Sequence, residues 1–352
     1  MTKILSVATA GLLANQLKDN VHKQFPRVDY VELQSLLNTK VIDYSEYDAT
    51  IAGHLFRRIE REIRSDVYLT YISWLKSREY STVFTWSERA GIPFAGLKRF
   101  FPSDLRFVTM FQCWSERQET LLSKLNLFSA MDSIIVHCAS MKENLIRLNV
   151  PAGKIQVIHF SIDQNFFAPQ PYVKQETDLI ASVGETRSRN YNSLFQAAAG
   201  LPAKIEIAGY GYWYAREKND SIKSKIPNNV IAAKRLSYDE LRNLYARASF
   251  VVLPLEDLVY SAGATSTLEA GSMGRAVIAF RSKGITEYIV DGETGILVEP
   301  GNVAGLRDAI SYLLANPAEA ERLGANARRR INERFRLETY VQNIANVLQQ
   351  PG

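Results

Sequence analysis

The sequence predicts an α/β chain built as two doubly wound parallel sheets, and three observations carry that prediction. Short apolar runs alternate with longer segments of helical period, as parallel strands alternate with the helices that cover them. The 352 residues correspond to about two domains at roughly 150 residues each. A single stretch, Phe166-Phe-Ala-Pro-Gln-Pro171, has two prolines and no helical period, and the rhythm restarts beyond it.

Taken in order, the apolar runs of the first half predict strands at residues 4–7, 82–85, 107–110, 133–136 and 155–159. Helices are expected at 12–23, 51–65, 117–129 and 140–148 between them. In the second half, strands are expected at 179–183, 204–208, 230–232, 250–253, 276–280 and 296–298. Helices are expected there at 191–199, 238–248, 266–272, 303–314, 317–335 and 337–349. No repeat of fixed period interrupts this order. In sheets of this kind ligands bind outside the carboxyl ends of the strands, so two such units are expected to face each other across a cleft.

Composition narrows the function classes. Apolar residues at 46% and charged residues at 22% match ordinary soluble globular chains and exclude disorder, collagen and coiled coil. The net charge of +5 is spread evenly, with 20 basic and 17 acidic residues up to Tyr172 and 22 and 20 after it, so nucleic-acid binding is not expected. With only Cys113 and Cys138 there is no disulfide framework and no Cys/His zinc cluster, and a reducing cytoplasm fits best. No apolar run approaches the roughly 18 residues that span a bilayer. The opening, Lys3 then Ile-Leu-Ser-Val7, reads as a first strand leading into small residues rather than as a signal peptide.

Chemistry is most concentrated in Tyr260-Ser-Ala-Gly-Ala-Thr-Ser-Thr-Leu-Glu-Ala270. Small residues at 261–266 allow a ligand close to the backbone, and the helix they open offers unpaired N–H groups and a positive dipole end to an anion. Glu269, past the first turn, is placed to accept hydrogen bonds from vicinal hydroxyls, as acidic residues do for ribose. The bland alternative is a small-residue packing helix. Two more glycine turns end strands on the same side: Ser182-Val-Gly-Glu-Thr-Arg-Ser-Arg-Asn190, with Arg187 and Arg189 able to clamp a diphosphate, and Ala208-Gly-Tyr-Gly-Tyr212. Each alone is ordinary turn chemistry.

These residues resemble the nucleotide-sugar domain of the retaining glycosyltransferases of family 4, whose architecture is GT-B. The runs that carry the resemblance are Leu268-Glu-Ala-Gly-Ser-Met-Gly-Arg-Ala-Val-Ile-Ala279 and Lys283-Gly-Ile-Thr-Glu-Tyr-Ile-Val-Asp-Gly-Glu-Thr-Gly-Ile-Leu-Val-Glu-Pro-Gly-Asn302. They are similar to the family's LEAMAxGxPVIA and GGxPEIVxDGxTGLLVxPGD segments. Val183-Gly184 with Arg189-Asn190, the turn at Gly209 and Ile158-His-Phe-Ser-Ile-Asp163 match less closely, and about half the chain is covered well.

The resemblance implies two Rossmann-like domains: an acceptor domain at 1–168, a donor domain at 169–335, and a helix at 336–352 that crosses back to the first. It implies transfer of a sugar from a UDP- or GDP-linked donor to a sugar, lipid-linked or protein acceptor with retention, without metal or cofactor. A contact at the membrane periphery is a further expectation, from the aromatic and basic residues of Phe94-Ala-Gly-Leu-Lys-Arg-Phe-Phe-Pro102. Residue by residue, Glu269 takes the ribose-binding position and, with Arg189, the catalytic role. Gly11, Gly184, Arg187, Arg189, Gly209, Ser261, Gly263, Ala264 and Thr265 stand at positions that meet the donor, and the backbone near Arg235 and Leu236 at those that read the base.

Three positions depart from the family pattern. Ser261 stands where the first Glu of the E-x7-E motif belongs, Glu185 where an arginine follows Val-Gly, and Phe111 or Gln112 where a histidine is usual. They keep two other readings in view, a non-catalytic subunit of the same fold and a nucleotide-sugar epimerase. A Rossmann oxidoreductase would need GxGxxG directly after a strand with an acidic residue about 20 positions on, which the chain lacks. His54 reads as part of a solvated surface helix, His137 and His159 as core histidines, and both cysteines as small buried apolar residues.

Overall fold

The computed structural model describes residues 3–9, 25–48, 53–56, 60, 65–184, 188–209, 226–232 and 236–350. Its contacts divide the chain into two compact units, one holding the first strand, Arg27–His159 and Glu338–Gly352, the other essentially Phe160–Leu337.

The amino-terminal unit has strands β1 Ile4–Val7, β2 Lys40–Ile42, β3 Thr82–Thr85, β4 Arg106–Met110, β5 Ser133–Val136 and β6 Ile155–Val157. They form one parallel sheet in the order β2-β1-β3-β4-β5-β6. The carboxyl-terminal unit has β7 Leu179–Val183, β8 Lys204–Ala208, β9 Val230–Ala232, β10 Phe250–Leu253, β11 Ala276–Phe280 and β12 Gly295–Val298. This sheet is also parallel, in the order β12-β11-β10-β7-β8-β9. Strands β3, β5, β7, β10 and β11 are buried along their whole length. Helices cover both faces of such sheets, which is why the strands appear in the sequence as unbroken apolar runs. Strand order reverses between β1 and β3 and between β7 and β10, and those reversals are where a doubly wound sheet opens a crevice at its carboxyl edge.

Several elements differ from the sequence expectation, each for a local reason. Strand β2 was not expected: it is a three-residue edge strand that begins on an exposed lysine, too short to show a period. Helices Asp29–Leu37, Val67–Lys76 and Glu88–Phe100 occupy stretches expected as connections. The last of these contains Pro93, which lacks the N–H that would bond the Arg89 carbonyl. That carbonyl accepts instead from the Asp66 amide at 2.9 Å, and the Ala90 carbonyl takes the Thr70 hydroxyl at 3.1 Å, so the helix continues through the proline. The helix expected over 117–129 stops at Lys124, because Asn126 turns left-handed (φ 48°) before a short 3₁₀ turn, Leu127–Ala130. The helix expected at 12–23 and most of that at 51–65 lie outside the described residues; 53–56 are helical.

The chain divides after His159, earlier than the proline run. Asp163 caps the turn that follows, accepting from the amides of Asn165 (3.2 Å) and Phe166 (3.4 Å), and Phe167 packs edge-on against Tyr245. Those contacts commit residues 160–168 to the carboxyl-terminal unit. The helix Leu337–Gln349 belongs almost entirely to the amino-terminal unit. Its last carbonyls, Val347 and Leu348, accept from the Arg106 guanidinium at 2.9 and 3.0 Å, a cation at the negative end of the helix. Tyr340 sets its hydroxyl 3.6 Å from Met110 Sδ, and Glu338 pairs with Arg27 at 2.8 Å.

Candidate functional site

The strand reversal of the carboxyl-terminal unit is closed by two loops that bond each other. After β7, the Asn190 amide donates to the Pro254 carbonyl beyond β10 at 2.6 Å, and the Glu256 amide donates to Ser188 at 3.0 Å. Arg189 thereby pairs antiparallel with Leu255. Its guanidinium folds over its own loop, Nε donating to the Val183 carbonyl (3.1 Å) and Nη1 to the Ser188 hydroxyl (3.2 Å). Gly184 makes this fit: a Cβ there would lie 2.6 Å from Arg189 Nε. Burial holds the guanidinium below its usual basicity, offset by nearby Tyr191, Tyr245, Tyr260 and Glu269.

Opposite, Gly263 adopts φ +83° and starts the helix Ala264–Ser272. A side chain there would be strained and would press 2.7 Å from Leu255 Cδ2 and 3.6 Å from Arg189 Nη2. Small size at 263 therefore brings the helix start against Arg189. The Ala264 amide is used by Ser261 (3.1 Å) and Thr267 donates to Gly263 (2.9 Å). Between them the amides of Thr265 and Ser266 have no backbone acceptor among the described residues, as the first turn of a helix requires. The loop leading in is braced by Ser282, which bonds Leu258 in both directions, and by Gly284, where a Cβ would strike the Tyr260 carbonyl.

Glu269, past the first turn of this helix, is buried. Burial raises its carboxyl to about 7, against the opposing pull of the Tyr245 hydrogen bond and Arg189. Tyr245, fully buried, donates its hydroxyl to Glu269 Oε2 at 2.8 Å, and its own ionisation is pushed well above the usual range by burial and by that carboxylate. Ser261 and Thr267 bury hydroxyls that have no partner in the protein among the described residues. The result is one cation, one carboxylate with a donor behind it, and free helix amides around a single loop. Such a set grips an anion beside a hydroxylated ring.

Gly184, Arg189, Ser261, Gly263, Ala264, Thr265 and Glu269 therefore all belong to this strand reversal and its loops. Gly209 (φ 90°) ends β8 beside it, the Ala208 carbonyl accepting the Gly184 amide at 3.1 Å. Leu236 packs its side chain on the unit's core. Gly11, Arg187 and Arg235, with Glu185, lie outside the described residues. Tyr245 is the residue the sequence reading missed: within a helix it looks like any core aromatic, and only the inward spacing opposite Glu269 would have singled it out.

The amino-terminal unit has its own polar group at the carboxyl edge of its sheet. Glu88, buried at the start of its helix, accepts the Gln112 amide at 2.9 Å, while the Gln112 side chain donates to the Trp86 carbonyl at 3.0 Å. Burial raises the Glu88 carboxyl, and amides of Gln112 and Cys113 partly offset this. Phe111 is fully buried against Trp114, so neither residue at the usual histidine position presents a titratable group. His137 is a core histidine, pushed down to about 4 by burial, with Nδ1 2.9 Å from the Ile158 carbonyl. Cys138 is buried, but Cys113 is exposed, because it stands in the turn after β4 rather than on the strand.

Two doubly wound parallel-sheet domains define the GT-B fold class. Residues 163–330 match the family model of the glycosyl transferases group 1. Glycogen synthase of Mycobacterium tuberculosis is 28% identical over 228 residues, 61% of this chain and 53% of that protein. An MMP alpha-(1->4)-mannosyltransferase of Mycolicibacterium hassiacum is 25% identical over 207 residues, 57% of this chain and 50% of it. The chain thus spans about half the length of the curated relatives it matches. In fold, it superposes on sucrose-phosphate synthase of Thermosynechococcus elongatus with TM-score 0.74 at 16% identity, covering 98% of both chains. HepE of Anabaena, solved in complex with UDP and glucose, superposes with TM-score 0.74 at 16% identity over 100% of both.

Proposed function

We propose that the chain transfers a sugar, with retention, from a UDP- or GDP-linked donor to the hydroxyl of a sugar, lipid-linked or protein acceptor in the cytoplasm, as the family 4 glycosyltransferases do. The observation that carries this reading is the convergence at one strand reversal of Arg189, the free amides of Thr265 and Ser266, and Glu269. In the reaction the glycosidic bond to the diphosphate breaks through an oxocarbenium-like state, and negative charge grows on the departing phosphate. Arg189 and the helix amides are preorganised to meet that charge, each such donor being worth roughly 3 kcal/mol of barrier. No metal ion or cofactor is part of this reading. Glu269 accepts hydrogen bonds from the ribose hydroxyls and orients the nucleotide, and the backbone around Arg235 and Leu236 reads the base. The departing phosphate itself takes the acceptor proton, so a side-chain base is unnecessary.

Ser261, standing where the family has a carboxylate that holds the donor sugar, favours a second reading, a non-catalytic subunit that binds the nucleotide without turning it over. The two readings, and an epimerase, separate on the fate of the donor. With UDP-glucose, GDP-mannose and their isomers, a transferase slowly releases free sugar, an epimerase returns the isomer, and a non-catalytic subunit does neither. Thermal stabilisation by UDP or GDP compounds that weakens in Glu269→Ala supports the donor site; no response to any nucleotide removes it.

A further inference from the structure

A cavity of about 620 Å3 opens in the amino-terminal unit, between the turn that precedes β3 and the segment that joins the helix Glu88–Phe100 to β4. Because β3 and β4 run parallel, this is the end of the sheet opposite Glu88 and Gln112. The four residues of β3, at about 3.3 Å each, separate the two ends by ~13 Å. Nothing in the donor chemistry above uses this cavity.

Its walls combine aromatic faces with uncommitted polar groups. Trp74, Tyr80 and Phe101 line it, Trp74 held edge-on by Phe94 at a ring distance of 5.4 Å and Phe101 61% exposed. Arg78 and Asp104 also line it; among the described residues neither forms an ion pair, with the other or with any neighbour. Its size lies inside the roughly 300–1,000 Å3 of small-molecule sites, which are mainly apolar walls with a few fixed polar groups. Opposite charges without an ion-pair partner among the described residues, beside aromatic rings, select the ligand class. A phosphate or carboxylate would meet Asp104, a cation would meet Arg78, and an acyl chain would desolvate both without bonding either. A neutral polyhydroxylated ring satisfies all of them: its C–H face lies on the aromatics, its hydroxyls donate to Asp104, and Arg78 donates to its oxygens.

We infer that this cavity is a carbohydrate-binding site that takes a neutral pyranose unit of a glycan. Its use in holding a distal part of the acceptor rests on the transfer reaction proposed above; the binding itself does not.

The test uses the full chain without nucleotide, titrated with maltohexaose, cellohexaose and α-1,6-mannohexaose by calorimetry and tryptophan fluorescence. The site predicts saturable binding of at least one hexasaccharide, weakened about tenfold or more in Arg78→Ala and in Asp104→Ala and unchanged in Glu269→Ala. Melting temperatures of the two surface variants should stay at the parent value, and Tyr80→Phe serves as a milder third variant should either lose stability. Absence of binding to all three saccharides overturns the proposal, as does binding that Arg78→Ala and Asp104→Ala leave intact. Co-sedimentation with phosphatidylcholine–phosphatidylglycerol vesicles that Phe101→Ala abolishes, without saccharide binding, overturns it in favour of a membrane surface. UDP-dependent stabilisation, read in the parent chain, fails separately: its absence with saccharide binding present sinks the transfer reading and leaves this one standing.

Discussion

The Tyr245 hydroxyl donates to Glu269 Oε2 at 2.8 Å with both side chains buried, so the carboxylate is anchored on that side. The bond ties the helix Tyr238–Arg247 to the helix Ala264–Ser272. Tyr245→Phe should therefore weaken UDP binding about tenfold at neutral pH and lower stability by roughly 1.5–3 kcal/mol, the scale of a buried hydrogen bond to a charged group. Calorimetry and denaturant unfolding would read the two effects; unchanged UDP affinity would remove Glu269 from the ligand contact.

Nucleotide binding should depend on pH through Glu269. Its carboxyl in the folded chain is raised to about 7 by burial, and only the ionised form accepts two hydroxyl hydrogen bonds. Affinity for UDP is expected to rise between pH 6 and 8, about tenfold at most per unit, and to flatten in Glu269→Gln. The stability term has the opposite sense. A group whose folded value lies above its unfolded value of 4.5 is ionised in the unfolded chain first, so stability is lost as pH climbs from there through about 7. Glu269→Gln should accordingly melt higher than the parent at pH 8 and match it near pH 4, as scanning calorimetry would show.

Arg189 is expected to act mainly on the chemical step. Arg189→Ala should lower kcat about 10²–10³-fold and change KM less, since charge on the diphosphate is greatest in the transition state. Arg189→Lys should recover little, because a lysine's single nitrogen cannot hold the Val183 carbonyl bond that Arg189 makes through Nε and also place donors where the guanidinium's other nitrogens stand. Steady-state kinetics with the working donor decides this, and an equal loss in KM alone would assign Arg189 to ground-state binding.

Gly263→Ala should destabilise the carboxyl-terminal unit by roughly 1–3 kcal/mol, from a left-handed backbone and a 2.7 Å approach to Leu255 Cδ2. Adding Leu255→Ala relieves the steric part and leaves the backbone part. Denaturant melts of the single and double variants form the cycle; additive losses would mean the contact is not the cause.

Much of this was legible because a parallel sheet buries both faces. Runs such as Phe250–Leu253 and Ala276–Phe280 admit no polar residue and declare themselves as strands. Edge strand β2 did not, since Lys40 faces solvent and only Ile42 is fully buried. Gly184 could be assigned to a close approach from its place at a strand end, and Gly263 from the run of small residues at 261–266. What they approach, Arg189 and Leu255, required coordinates. The helix through Pro93 was hidden because the sequence shows the missing donor but not Asp66, the distant amide that replaces it at the freed carbonyl. Cys113 was expected to be a small buried residue, but it stands three residues past the end of β4 at Met110 and is exposed.

The Arg106 clasp on Val347 and Leu348 has a consequence for assembly on the ribosome. Apart from His22–Pro26, which are made early, the carboxyl-terminal unit is the single stretch 160–337 and can complete its interior as soon as that stretch leaves the exit tunnel. The earlier-synthesised sheet cannot; it waits through the birth of its neighbour for residues 338–349, which arrive last of the three pieces. During that interval the groove meant for the final helix is bare, and a nascent chain stalled before residue 338 would be a natural client for a chaperone.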